Sequence, residues 1–380
     1  MTRSLFEMLG NADQERIHTQ IIAWFLTPAD SPLSDCERAM LINKLFLKDE
    51  TILPDEAANA KVVTELDSLD LVVLLSSGTL IAVENKMKSR QGVGQLEKYS
   101  SEIVELKKAI GWSGKKDVKI FLTFSGEPPL SSGEPPLPEW RAVDYQDVGD
   151  ALGELRSKDM YLKDYLTLLK KMLECRKAFL SKHSSHLQIF ARSGMKIRDR
   201  LSNPLGPGAT DVEKFVCGNK LERLFVERLF RDVSTKVNPK GNWVSESRGK
   251  ALIHVNLFRF SLQGSPNEFR AAFQFQGDTL KLNIGALDYD NSKLDWLSKE
   301  SSKAFDDVLD NDHRTANAAR TKAYRSWSWN LSQEDHPKNK SFDKFVEWLE
   351  LNVKDAIQVW TKALEKLREK GVVVKFSPET

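Results

Sequence analysis

Three side chains in the stretch ELDSLDLVVLLSSGTLIAVENKMKSRQGVGQLEKYS, residues 65–100, have the types and spacing that phosphate chemistry needs. Asp70 opens one apolar run. Glu84, fourteen positions on, and Lys86 close the next. Side chains alternate along a strand, so Glu84 and Lys86 point to one side while Asn85 points to the other. Two carboxylates are hard oxygen ligands for Mg²⁺ or Mn²⁺, held at about 2.0–2.1 Å in the case of Mg²⁺, with most other positions left to water and substrate phosphate. Such a cation acidifies a water and neutralises charge developing on phosphorus. A lysine two residues beyond can hold that water or stabilise the pentavalent phosphorus, and a cation beside it is expected to depress its pKa. Asp70 and Glu84 are therefore the candidate metal ligands, with Lys86 beside them. Asp67 competes with Asp70, although strand parity aligns Asp70 with Val72 and Leu74. Glu65, at the end of the preceding run, is a further candidate.

The elements that must position these groups are legible as changes of period. VVTEL (62–66), DLVVLLS (70–76) and LIAVENK (80–86) are short, β-branched-rich runs, and Ser77-Gly78 marks a hairpin between the last two. Residues 13–27 predict an amphipathic helix closed by Pro28 and capped by Asn11 or Asp13, with Glu15, His18, Thr19 and Ile22 on one face. A second helix is expected over about 34–48, and helical spacing returns from Gln95 to Lys108. DVKIFLTFSG (117–126) reads as a strand buried on both faces, and RAVDYQDV as a short strand leading into a helix.

Asp-x13-Glu-x-Lys on a β-hairpin between helices resembles the core of the PD-(D/E)xK nuclease superfamily, over about residues 10–125. The closest likeness is to a bacterial branch whose first helix carries a Glu followed by His-Ser and an aromatic-rich LLxP ending. Glu15, His18, Thr19 and AWFLTP stand in those places here, with Thr19 where Ser is usual. Gln95 and Tyr99 match the QxxxY that follows the ExK strand in several members, and Leu69 stands where the motif has Pro. The resemblance implies an α/β restriction-endonuclease-like core with a central mixed sheet flanked by helices. It implies Asp70 and Glu84 as metal ligands, Lys86 as the catalytic lysine, Glu15 as an accessory carboxylate and Gln95 and Tyr99 as site-lining residues. Mg²⁺ or Mn²⁺ is the implied cofactor and nucleic acid, chiefly DNA, the implied substrate. A role in bacterial or phage defence, as a homodimer or with a defence-system partner, is the implied setting. The alternative is a catalytically silent nuclease fold that binds nucleic acid or protein.

The rest of the chain bounds these expectations. Its 380 residues divide into an expected nuclease-like core (1–175), a connecting helix and linker (176–210) and a carboxy-terminal α+β domain with an antiparallel sheet (211–380), which would recognise substrate or partner. The break falls at SNPLGPGAT, 202–210. Lys+Arg 56 against Asp+Glu 54 excludes wholesale attraction to polyanions, so nucleic-acid contact needs a local patch. KHSSHLQIFARSGMKIRDR and RTANAARTKAYRSWSWN are the candidate patches, each weighed against a solvated helix face with a core Trp. His183 and His186 read as solvated. The final helix, about 341–369, carries Phe345, Trp348, Leu349, Val353, Ile357 and Trp360 as a packing stripe, with a dimer interface as the alternative. Three scattered Cys exclude a disulfide framework. No signal peptide or membrane span is expected, which points to the cytoplasm.

Overall fold

The structure is a computed structural model that describes residues 4–48, 50–66, 68–87, 91–92, 94–114, 116–130, 137–241, 243–247, 249–265, 267–286, 299–309, 317–320 and 324–379. In chain order, α1 (Leu5–Met8), α2 (Glu15–Leu26), α3 (Asp35–Ile42) and α4 (Pro54–Ala58) lead into β1 (Lys61–Leu66), β2 (Leu69–Leu74) and β3 (Thr79–Lys86). Then follow α5 (Gln95–Ala109), β4 (Lys116–Thr123), β5 (Trp140–Asp144), α6 (Tyr145–Gly153) and α7 (Met160–Ser181). Helices α8 (Leu187–Arg192), α9 (Ile197–Ser202), α10 (Asp211–Gly218) and α11 (Glu222–Val237) precede β6 (Val244–Ser247), β7 (Lys250–Leu262), β8 (Glu268–Gln276) and β9 (Thr279–Ala286). The chain closes with α12 (Lys299–Leu309), β10 (Asn317–Arg320), β11 (Tyr324–Asn330), α13 (Phe342–Glu369) and β12 (Val373–Pro378).

By internal packing the chain forms two units, Met1–Phe179 with Gly206–Arg228, and Leu180–Leu205 with Leu229–Thr380. This differs from a linear cut at 176–210. Residues 206–228 pack with the first unit, because Pro and Gly mark where a chain turns and not which core it rejoins.

The first unit holds a five-stranded sheet in the order β1-β2-β3-β4-β5. The pairs β1–β2 and β2–β3 are antiparallel, while β3–β4 and β4–β5 are parallel, giving the expected mixed sheet flanked by helices. The hairpin turn carries Gly78 at φ 91°, a conformation that L side chains rarely adopt. One sheet face buries Val72, Leu80, Ala82 and Phe121 with Leu96, Tyr99, Ile103 and Leu106 of α5. Each fully buried Leu or Ile contributes about 1.5–3 kcal/mol, so this stripe fixes α5 over the hairpin. Helix α2 packs against β1, β2 and β3. Its N-cap is Gln14 without a side-chain bond, so neither Asn11 nor Asp13 caps it, and the expected 34–48 helix ends in a π turn over Asn43–Leu47.

The second unit is built on an antiparallel sheet, β10-β11-β9-β8-β7-β12, with β6 also on β7. Phe345, Leu349, Val353, Ala356 and Trp360 of α13 are buried, which makes its stripe a packing face; the indole of Trp360 donates to the Ala272 carbonyl on β8. Strands β10, β11 and β12 were not expected. Serine and tryptophan alternate in β11, and Trp327 is wholly buried, its indole donating to Asp306, which also takes Arg325. Trp327 and Arg325 thus pack in this unit and do not form an exposed binding stripe; Arg314 and Lys322 of that segment lie outside the described residues, as does Asp67 in the first unit. His183 and His186 are also buried and not solvated, His183 packing its ring against Phe190 and Phe345. No helix among the described residues is long and apolar enough to cross a membrane.

Candidate active site

Strand β3 is buried from end to end, and its last three residues are Glu84, Asn85 and Lys86, at 2%, 1% and 8% exposure. Ionisable groups at such depth cost several kcal/mol each unless they are paired. The antiparallel register pairs Leu71 with Val83, so the next step places Asp70 opposite Glu84. The two carboxyl groups hydrogen-bond to each other. Lys86 Nζ lies 2.5 Å from Glu84 Oε1 and 3.7 Å from Glu15 Oε1. Backbone amides hold the flanking carboxylates: Asn85 N–H donates to Asp70 Oδ2 at 2.7 Å, and Met87 N–H to Glu15 Oε2 at 3.0 Å.

Helix α5 supplies the rest. Gly94 precedes it with φ 68°, and the helix then carries Gln95 and Tyr99 one turn apart on the sheet side. Gln95 Nε2 donates to Glu84 Oε1 at 2.9 Å and to the Tyr99 hydroxyl at 2.6 Å. All six residues singled out from the sequence, Asp70, Glu84, Lys86, Glu15, Gln95 and Tyr99, therefore meet in one cluster, Glu15 joining it through its 3.7 Å ion pair with Lys86. Glu65 does not join it. Its φ of 54° turns it away, and it pairs with Arg16 at 2.7 Å near the surface.

The electrostatics follow from that crowding. Burial raises the Glu84 pKa to about 8, and the facing Asp70 charge adds to the effect. Asp70 is raised too, by burial and then by the charge of Glu15, against the Asn85 amide and Lys86. Glu84 thus holds a proton near neutrality, facing Asp70. Burial alone would lower the Lys86 pKa, but Glu84, Glu15 and Asp70 outweigh it and, with no cation beside it, hold the ammonium above its ordinary value. Burial raises the Tyr99 pKa as well, so the phenol stays protonated and can donate.

The donor chemistry fits a hard divalent cation. Asp70 and Glu84 face each other across β2 and β3, and a site with two protein carboxylates would leave the other positions to water and substrate, the usual balance for Mg²⁺. Among the described residues no group of three or more His, Cys, Asp or Glu is arranged to hold a metal.

Sequence reasoning missed the role of Asn85. It projects from the opposite face of β3, where Nδ2 donates to Thr19 Oγ1 at 2.9 Å and to the Glu15 carbonyl at 3.2 Å, and Oδ1 accepts from the Tyr145 hydroxyl at 2.9 Å. The signal was a polar residue at a core-facing position of an otherwise apolar strand. Asp144 was missed as well. It caps α6 and takes Arg176 at 2.8 Å and Arg228 at 2.5 Å, and Lys86, Thr123 and Asp144 share one register across β3, β4 and β5.

No curated protein and no solved structure matches this chain. Residues 4–192, about half of its length, match a family model described as PD-(D/E)XK nuclease superfamily, whose members are hydrolytic nucleases that bind nucleic acid and generally use divalent metals. That stretch contains the whole five-stranded sheet and the Asp70, Glu84 and Lys86 cluster, and the chain belongs to the PD-(D/E)XK nuclease superfamily.

Proposed function

We propose that the protein is a Mg²⁺- or Mn²⁺-dependent nuclease that hydrolyses phosphodiester bonds of DNA, acting in the cytoplasm in bacterial or phage defence. The observation that carries this reading is the meeting of two carboxyls and an ammonium at the end of a fully buried strand. Apolar residues would stabilise such a strand better, and ionisable groups with displaced pKa values cluster where chemistry is done. When bound between Asp70 and Glu84, the cation supplies charge neutralisation at phosphorus and a more acidic water. Glu84 is oriented for that role by Gln95, which occupies one of its oxygens. Before a cation binds, Lys86 is held protonated by Glu84, Glu15 and Asp70. Its ammonium is then available to donate to a phosphate oxygen or to orient the attacking water. Glu15 lies 3.7 Å from the same ammonium and adds a second carboxylate to its surroundings. The defence setting rests on the resemblance of the first helix and of QxxxY to the bacterial branch.

Supercoiled plasmid, linear duplex, single-stranded DNA and RNA, each incubated with Mg²⁺, Mn²⁺ or EDTA, test the proposal. Duplex DNA is expected to be cut with either cation and spared in EDTA. Glu84→Ala and Lys86→Ala should cut at least about 10³-fold more slowly, within the range typical of lost acid–base and electrostatic groups. Cutting that survives EDTA or either substitution refutes the mechanism, and cleavage of RNA alone rejects DNA as substrate.

A further inference from the structure

We propose that Asn85 is a positioning residue, the clamp that registers the metal-ligand strand against the helix carrying Glu15. The proposal rests on the nuclease reading above. Asn85 is 1% exposed and makes three side-chain hydrogen bonds within the protein, two from its nitrogen and one to its oxygen. One carboxamide hydrogen goes to the hydroxyl of Thr19 and the other to the backbone carbonyl of Glu15, both on α2. Its oxygen takes the hydroxyl of Tyr145, the first residue of α6. An amide suits this place and a carboxylate does not, since two of the three partners are acceptors facing it. Thr19 is not free to turn away, because its hydroxyl is donated to the same Glu15 carbonyl at 3.2 Å.

The clamp acts on the reacting groups through the backbone. Asn85 N–H is the donor that holds Asp70, and the next-but-one amide, Met87 N–H, holds the carboxylate of Glu15. A shift of β3 along α2 would break the Met87 contact to Glu15 and would move Glu84 and Lys86 relative to that carboxylate, while the Asn85 contact to Asp70 ties β3 to its hairpin partner β2. The Asn85 side chain itself lies on the face away from the carboxyls. Its effect is on geometry, and displacement of about 1 Å in such a site is worth orders of magnitude in rate.

The test uses partners of Asn85 that lie outside the reacting cluster. Thr19→Val removes the hydroxyl at nearly constant shape, Tyr145→Phe removes the donor to Oδ1, and Thr19→Ser restores the first contact. Three readings are taken on the full chain: kcat and KM on duplex DNA, Mn²⁺ affinity by calorimetry, and hydrogen exchange resolved to single amides. Thr19→Val and Tyr145→Phe are each expected to lower kcat about tenfold with KM within twofold, while Thr19→Ser stays within twofold of the parent. Exchange at the Asn85 and Met87 amides should rise about tenfold in the two damaging variants, with Leu96 and Ile103 of α5 unchanged. Unchanged exchange at residues 85 and 87, or an equal rise at 96 and 103, overturns the proposal, since the contacts would then serve only general stability. A parent protein that neither cuts nor binds Mn²⁺ sinks the nuclease reading instead, and the exchange pattern still decides the role of Asn85.

Discussion

His18 offers a quantitative check on how α2 is seated. It is 1% exposed, and its two ring nitrogens are both engaged: Nε2 faces the Ala12 carbonyl at 3.1 Å and Nδ1 faces the Tyr165 hydroxyl at 2.9 Å. A carbonyl only accepts, so Nε2 carries the hydrogen and Nδ1 accepts from tyrosine; the ring is neutral. Burial lowers its pKa from 6.5 to about 4, against the smaller upward pull of the Ala12 carbonyl and of Asp13 and Glu15. The sign is that of a depressed group. The unfolded chain takes up a proton near 6.5 and the folded one does not, so the stabilisation is complete above pH 6.5 and is lost as pH falls toward 4. At about 1.4 kcal/mol per unit, the loss reaches about 2–3 kcal/mol by pH 4.5. Urea unfolding of the parent and of His18→Gln, followed by tryptophan fluorescence at pH 7.5, 6.5, 5.5 and 4.5, isolates this term as the difference between the two proteins. The parent should lose about 2–3 kcal/mol more than the variant across the series. Parallel stability curves, or an imidazole resonance titrating near 6.5 in the folded protein, would refute the reasoning.

Other consequences are as direct. With Glu84 raised to about 8 by burial and by Asp70, a divalent cation must displace a proton, so apparent Mn²⁺ affinity should rise up to about tenfold per pH unit below 8 and level off above it. Calorimetry in buffers of different ionisation heat should show about one proton released per ion, and none would contradict the proton held by Glu84. Gln95→Leu removes the donor to Glu84 and to Tyr99 and is expected to slow DNA cleavage about tenfold, the equivalent of about 1.4 kcal/mol, in steady-state assays. Trp360→Ala empties a wholly buried site against the second sheet and should cost about 3–5 kcal/mol in chemical denaturation of that unit.

Much of the first unit was legible because its signals are local. Parity alone put Glu84 and Lys86 on one side of β3, aligned Asp70 with Val72, and set Gln95 one turn before Tyr99; the register then carried these residues to one point. Glu65 falls in the exposed parity of β1 with Lys61 and Val63, carries a positive φ, and pairs with Arg16 instead of joining the site. Strands β10 to β12 were illegible for a different reason. Tyr324–Asn330 mixes serine, arginine and tryptophan, and its strand state comes from pairing with β9, a partner forty residues away in sequence. The histidines of SKHSSH look polar in sequence, while burial of His183 depends on Phe345 from the far end of the chain. The discontinuous first unit is a fact of long-range packing to which composition is blind.

The most direct measurement is diffraction from crystals soaked in Mn²⁺, recorded for anomalous scattering. The account predicts one strong peak flanked by carboxylate oxygens of both Asp70 and Glu84 at about 2.0–2.3 Å, lost in Glu84→Ala. A peak elsewhere with these carboxyls still bonded to each other, or no peak at saturating Mn²⁺, would contradict it.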